Sequence, residues 1–210
     1  KGRTKFGYVG KVIEGIEVKI AKDGEILCKG PNVMKGYFKD SKLTSKTIKN
    51  GFLHTGDIGE IDNEGFLKIT DRKKQLFKTS GGKYIAPQVI ENRMKRSPFI
   101  EQIMVIGEGK KMPSALIQPD FEYIKSWLLK NKTNILDDFK NICENKELLV
   151  KIGHEIKKIN KEFGDWERIK KFELTPEIWS IENGLLTPTM KLKRKSIERK
   201  FVHLKEKIYT

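Results

Sequence analysis

Cysteine, histidine and tryptophan are scarce in this 210-residue chain, at two, three and three copies. Cys28 and Cys143 lie far apart and fit no metal-ligand spacing. With only scattered histidines beside them, neither a zinc site nor a histidine-centred triad is expected. Two isolated thiols fit a reducing compartment such as the cytoplasm better than a disulfide scaffold. Cys28 shares strand parity with Ile26 and reads as a core thiol. No apolar stretch approaches 18 residues, which argues against a transmembrane helix, and the start, Lys1-Gly2-Arg3-Thr4, has no secretory-signal pattern. Arginine is also rare: of 43 basic residues 36 are lysine. A nucleic-acid reader leans on the bidentate arginine fork, so this surplus reads first as a solvated lysine surface. The net charge of +15 nevertheless sets up a field that attracts polyanionic ligands. At 37% hydrophobic residues the chain is globular, long enough for one medium domain or two small ones.

The first 70 or so residues read as β-rich. Ile16, Val18 and Ile20 alternate with polar residues, and the turn Lys22-Asp23-Gly24-Glu25 leads into Ile26-Leu27-Cys28. A helix-like stretch covers Asp40 to Lys49. From Gly56 to Thr70 the strand–turn–strand pattern repeats around Asp62-Asn63-Glu64-Gly65. Beyond Asp71 the character changes. Gln88 to Arg96 reads as a helix with Pro87 near its start. Ile100–Ile106 and Pro113–Gln118 form a hairpin, Asp120 caps a helix to about Lys130, and another helix covers Lys146 to Glu162. Ile169 to Leu174 reads as a strand, and Ser196 to Ile208 as one helix with the stripe Ile197, Phe201, Leu204 and Ile208. The expected class is α+β. A truncated β-barrel-like subdomain, residues 1–71, precedes a small α+β lid domain, residues 72–210, with a hinge at 71–76.

Three constellations carry chemistry. In Gly51-Phe52-Leu53-His54-Thr55-Gly56-Asp57, a carboxylate held at a strand end by a glycine turn can accept hydrogen bonds from vicinal ribose hydroxyls. Alone, such an aspartate more often satisfies nearby backbone N–H groups. His54 reads as a packing or edge residue. Asp71-Arg72-Lys73-Lys74-Gln75-Leu76 has the charged, exposed composition of a linker able to absorb a large backbone change. It is followed by Lys78-Thr79-Ser80-Gly81-Gly82, whose glycines permit close backbone approach but do not make a phosphate-cradling P-loop. Finally, Thr187-Pro188-Thr189-Met190-Lys191-Leu192-Lys193-Arg194 offers a flexible point charge where carboxylate and phosphate must be held together. Its plainer reading is a basic lead-in to the terminal helix.

In this order and at these separations, the three motifs resemble the AMP-forming acyl-CoA synthetases. These belong to the adenylate-forming enzymes, which include luciferases and peptide-synthetase adenylation domains. The likeness is greatest to the long-chain fatty-acid–CoA ligases, covers essentially the whole chain, and corresponds to the C-terminal portion of such an enzyme. It implies that Asp57 holds the nucleotide ribose, that Arg72 approaches it, and that Lys74 sits at or next to the pivot within reach of the adenylate. Asp71 and Lys73 complete the hinge. Lys78 enters the site in a second conformation, in which Ser80, Gly81 and Gly82 line the coenzyme A path. Lys191 implies the adenylation lysine, with Lys193 as its register competitor. Many relatives carry glycine where this chain has Met190, a departure typical of the long-chain branch.

The implied substrates are a fatty acid, ATP with Mg²⁺, and coenzyme A, and the implied partner is an N-terminal domain. No metal ligand is expected in this chain, and no specific nucleic acid. The implied location is cytoplasmic, with peripheral contact at the inner membrane face open through the lipid substrate. No acyl tunnel, adenine-stacking aromatic or triphosphate loop is present, so the isolated chain is expected to be inactive. Three alternatives stand beside this reading: a fatty-acyl-AMP ligase delivering to a carrier protein, a basic noncatalytic module for RNA or another polyanion, and a noncatalytic interaction remnant.

Overall fold

A computed structural model describes residues 4–130 and 138–210. The chain divides into two compact units, Lys1–Leu76 and Phe77–Thr210.

The first unit is built on one antiparallel sheet. Its strands are β1 (Gly10–Lys11), β2 (Glu17–Ile20), β3 (Glu25–Lys29), β4 (Ile48–Lys49), β5 (Phe52–Ile61) and β6 (Phe66–Arg72). They run in the order β1-β6-β5-β3-β2, with β4 on β5. The edge strands do not pair with each other, so among the described residues the sheet is open and does not close into a barrel. Among the described residues of this unit the one helix, α1 (Ser41–Thr47), is capped by Asp40, whose carboxylate accepts from the Leu43 N–H at 2.8 Å. It stops before Ile48, which already belongs to a strand. Ile26 and Phe66 are the buried apolar side chains of this unit, whereas Cys28 is only partly buried and lies beside Asn32. The expected core thiol is thus a half-exposed one, because its face of β3 is not fully covered.

The second unit has a real core. After the short hairpin β7 (Phe77–Lys78) and β8 (Tyr84–Ile85) comes α2 (Pro87–Met94), with proline in its first turn where no N–H partner is needed. Strands β9 (Ile100–Ile106) and β10 (Ser114–Pro119) form the expected hairpin, and β11 (Phe172–Leu174) adds parallel to β10. Side chains alternate between two faces. Ile103, Val105, Ala115 and Ile117 enter one core cluster, and Met104, Ile106 and Leu116 enter the other. Both faces are covered, which is why these strands read as continuous apolar runs.

The first cluster is closed by α2, α3 (Phe121–Lys130), α4 (Phe139–Glu144) and α5 (Lys146–Asn160). Asn145 caps α5 by accepting from Leu148 N–H at 2.9 Å. Leu148, Ile152, Ile156 and Ile159 then form its buried stripe, each contributing about 2 kcal/mol of apolar burial. The second cluster is closed by α6 (Arg194–Lys200), α7 (Val202–Tyr209) and Trp179.

Two expectations are corrected in this unit. The tail is two helices, broken at Phe201 (φ −107, ψ 32), which is buried beside Trp179. Its stripe of Ile197, Phe201, Leu204 and Ile208 continues because both helices bury the same cluster. The strand expected from Ile169 is confined to Phe172–Leu174. The Asn160 side chain captures both backbone groups of Ile169 (3.1 and 2.9 Å) and keeps it off the ladder.

Candidate functional site

In the first unit Asp57 lies inside β5, not at a strand end. Gly56, at φ +73, takes a left-handed conformation within the strand that a Cβ would strain. The Thr55 hydroxyl stabilises this kink. It donates to the Ile26 carbonyl at 2.7 Å and accepts from the Asp57 N–H at 3.1 Å. Asp57 and Arg72 are partners in the β5–β6 register, and the Arg72 Nε sits 2.8 Å from an Asp57 carboxylate oxygen. The carboxylate remains a quarter exposed and the guanidinium about half exposed, so both are within reach of a ligand.

Beside this pair lies a cluster that no motif announced. The Glu25 carboxylate is buried at the start of β3. It accepts from the Gly56 N–H at 3.0 Å, from Nδ1 of His54 at 2.9 Å with the ring proton on that nitrogen, and from Lys73 Nζ at 2.8 Å. Lys73 also pairs with Asp23 at 2.7 Å, and its N–H donates to the Gly56 carbonyl at 2.8 Å. Burial pushes the Glu25 carboxyl up, but the hydrogen bonds from Lys73, His54 and Gly56 outweigh it and hold the pKa below the ordinary value. The Lys73 ammonium lowers Asp23 in the same way, and Asp23, then Glu25, raise Lys73. A sequence signal for this cluster was faint: a left-handed Gly56 leaves an N–H that needs an acceptor.

Stability follows from these directions. Depressed carboxylates stabilise the folded unit above their ordinary values near 4.5 and 3.8, and that stability is lost as pH falls through the lower folded values. The raised lysine stabilises below its ordinary 10.5, and its share is lost as pH rises through the higher folded value. The thermal midpoint of the first unit is therefore expected to be flat from about pH 5 to pH 10 and to fall on both sides. Lys73→Met should flatten the alkaline fall and shrink the acid one, as read by thermal unfolding across pH.

The connector residues differ in their surroundings. Asp71 is buried in β6, Lys73 is anchored, and Lys74 is exposed and makes none of the ion pairs that hold Lys73.

In the second unit, Lys78 stands in β7 with its ammonium 4.5 Å from the Tyr84 ring centre. The following turn is closed by Gly82 N–H to Thr79 carbonyl (2.9 Å) and is pinned by Ser80 N–H to the Lys110 carbonyl (2.9 Å). Gly82, at φ +77, is needed for this turn, whereas a Cβ at either Gly81 or Gly82 would meet no close contact. Ser80, Gly81 and Gly82 are exposed.

Lys191 occupies a loop whose two arms, Leu186 and Leu192, form a β-bridge. Thr187 closes it: its N–H donates to the Lys191 carbonyl at 2.8 Å, and its hydroxyl accepts from the Lys191 N–H at 3.1 Å. Buried Leu185 and Leu186 and half-buried Leu192 root the loop in the second core cluster, while the Lys191 side chain is exposed. Met190 has φ +59, which is why a glycine suits this position. Met190→Gly should remove a backbone cost of about 1 kcal/mol and add a similar unfolded-state entropy, leaving stability within about 0.5 kcal/mol. Met190→Val should destabilise by about 1 kcal/mol or more. Denaturant midpoints of the two variants check both figures.

Among the described residues no group of three His, Cys, Asp or Glu side chains converges as a metal site. Among the same residues, no helix is long and apolar enough to cross a membrane.

An open kinked sheet carrying the Asp57–Arg72 pair is thus followed by a small α+β unit bearing the exposed Lys191 loop. Residues 74–210 match the AMP-binding enzyme C-terminal domain, and the chain belongs to that family. The long-chain-fatty-acid–CoA ligase FadD15 of Mycobacterium tuberculosis is 37% identical over 205 residues, covering 98% of this chain and 34% of that protein. The human long-chain-fatty-acid–CoA ligase 1 is 43% identical over 183 residues, 85% of this chain and 26% of that one. The O-succinylbenzoate coenzyme A synthetase of Bacillus subtilis, solved in complex with AMP, superposes with a TM-score of 0.64 at 27% identity, over 91% of this chain and 35% of that one. The chain thus spans about a quarter to a third of the length of these curated relatives. The family match disfavours a free-standing polyanion module.

Proposed function

We propose that this chain is the C-terminal part of an ATP-dependent long-chain fatty-acid–CoA ligase. The observation that carries the reading is the Asp57–Arg72 pair, fixed across two strands immediately before the connector. In the first half-reaction a fatty-acid carboxylate oxygen attacks the α-phosphorus of ATP and pyrophosphate leaves, giving acyl-AMP. The Asp57 carboxylate accepts hydrogen bonds from the ribose hydroxyls, with Arg72 beside it. Lys191 supplies the positive charge that holds carboxylate and phosphate oxygens in one geometry. Its register is supported by the neighbouring Lys193, whose ammonium lies back near Gly184.

In the second half-reaction the thiol sulfur of coenzyme A, its proton lost, attacks the acyl carbonyl and AMP leaves. Before this step the domain turns about residues 71–76, replacing Lys191 with Lys78 and the Ser80–Gly82 loop, so one lid serves both steps. The +15 charge favours both polyanionic substrates. Phe6, Ile13 and Phe38 of the first unit are exposed, as expected of a surface that a larger domain covers.

Fatty-acid-dependent ATP–pyrophosphate exchange by the full-length protein tests the reading. Exchange with fatty acids is expected, together with none by the isolated 210 residues. Absence of exchange with every carboxylate tried refutes the ligase assignment.

A further inference from the structure

We infer that Glu25 is a positioning residue for the nucleotide: from a neighbouring strand it grips both flanks of the Asp57–Arg72 pair and sets where the freedom of the connector begins. The inference rests on the proposed adenylation function for its consequence, though not for its geometry. Glu25 stands where the β3–β5 ladder shifts register, between Glu25 and Leu27. Its side chain is 5% exposed. A buried carboxylate is a poor source of stability by itself, because desolvation offsets much of its attraction to a cation. What it does here is connect.

One oxygen takes the N–H of Gly56, the residue before Asp57. The other takes Nζ of Lys73, the residue after Arg72. Lys73 N–H to Gly56 carbonyl closes the ring between the two flanks. The left-handed turn at Gly56 aims Asp57, and Glu25 is the acceptor that satisfies its N–H. Loss of one Glu25 acceptor oxygen leaves the Gly56 N–H and Lys73 to compete for the other, so the ribose carboxylate and Arg72 lose their common frame. Asp23 and Glu25 also hold the connector as far as Lys73, and freedom starts at exposed Lys74.

The test is Glu25→Gln in the full-length protein, with Lys73→Met as a second variant. In Glu25→Gln, amide hydrogen exchange at 56–57 and 72–73 is expected to quicken about tenfold, with residues 77–210 unchanged. The KM for ATP in pyrophosphate exchange is expected to rise about tenfold, with kcat within about twofold and the fatty-acid KM unmoved. Lys73→Met should reproduce the faster exchange at 72–73 with a smaller rise in the KM for ATP. Unchanged ATP KM with unchanged local exchange overturns the inference. So does faster exchange throughout residues 4–76 with kcat and KM lost together, which marks a merely structural acid. If wild type gives no pyrophosphate exchange, the ligase reading fails by itself. AMP affinity by calorimetry then replaces KM, and failure of wild type to bind AMP, or equal binding by Glu25→Gln, overturns the inference too.

Discussion

Lys191→Ala in the full-length protein is expected to lower fatty-acid-dependent pyrophosphate exchange by about 10²- to 10³-fold, the effect of removing one preorganised charge from a developing anion. Turnover of preformed acyl-AMP with coenzyme A should stay within about threefold, because in the alternating mechanism Lys191 has left the site by that step. The loop makes this a clean experiment. Its shape is held by Thr187, by the Leu186–Leu192 bridge and by buried Leu185, none of which involves the Lys191 side chain. Alanine therefore removes a charge and little else. Lys191→Arg should recover only part of the rate, since a planar fork does not reproduce a compact ammonium between two oxygens. Lys193→Ala, at the start of α6, is the matched control and is expected within about twofold of wild type, as an exposed lysine outside the reacting geometry. If exchange survives Lys191→Ala and falls with Lys193→Ala, the adenylation lysine is Lys193.

The largest stability effect is expected at the ion pair between Arg194 and Glu91. Arg194→Met or Glu91→Leu should each destabilise the second unit by about 3 kcal/mol, the cost of removing one member of a buried ion pair. The contact is 2.7 Å, with Glu91 almost fully buried, and Glu91 also accepts from the Val105 N–H at 2.8 Å. It joins α2, β9 and the first turn of α6, and so anchors the C-terminal arm of the Lys191 loop. Arg194 Nε is buried without a hydrogen-bond partner among the described residues. The double variant Arg194→Met with Glu91→Leu removes both charges together and should be less destabilised than either single one. Denaturant unfolding of the three variants measures this. Additive losses would show that the two side chains act independently.

Much of the secondary structure was legible because it is local. Alternation placed β2 at Glu17–Ile20, the two-sided apolar runs placed β9 and β10, and Asp120 and Pro87 marked helix starts. Local signals failed where a distant group intervenes. Asn160 takes Ile169 off its strand, and the break at Phe201 is hidden because the apolar stripe continues across it. Whether the sheet edges meet was not legible for a similar reason: strand patterns carry no information on it.

The candidate site divides along the same line. Thr55-Gly56-Asp57, Arg72, the glycine turn and Lys191 could be named from residue type and order, because the chemistry they resemble needs those side chains in short, contiguous motifs. Residue type also determined the α+β class and the basic field. Only the tertiary structure joined Glu25 to His54 and Lys73, residues 29 and 48 positions away, and Arg194 to Glu91 across 103. It also put Asp57 within a kinked strand and Met190 in a left-handed conformation. A buried charge is satisfied by whatever the fold brings within about 3 Å, and sequence distance places no limit on that.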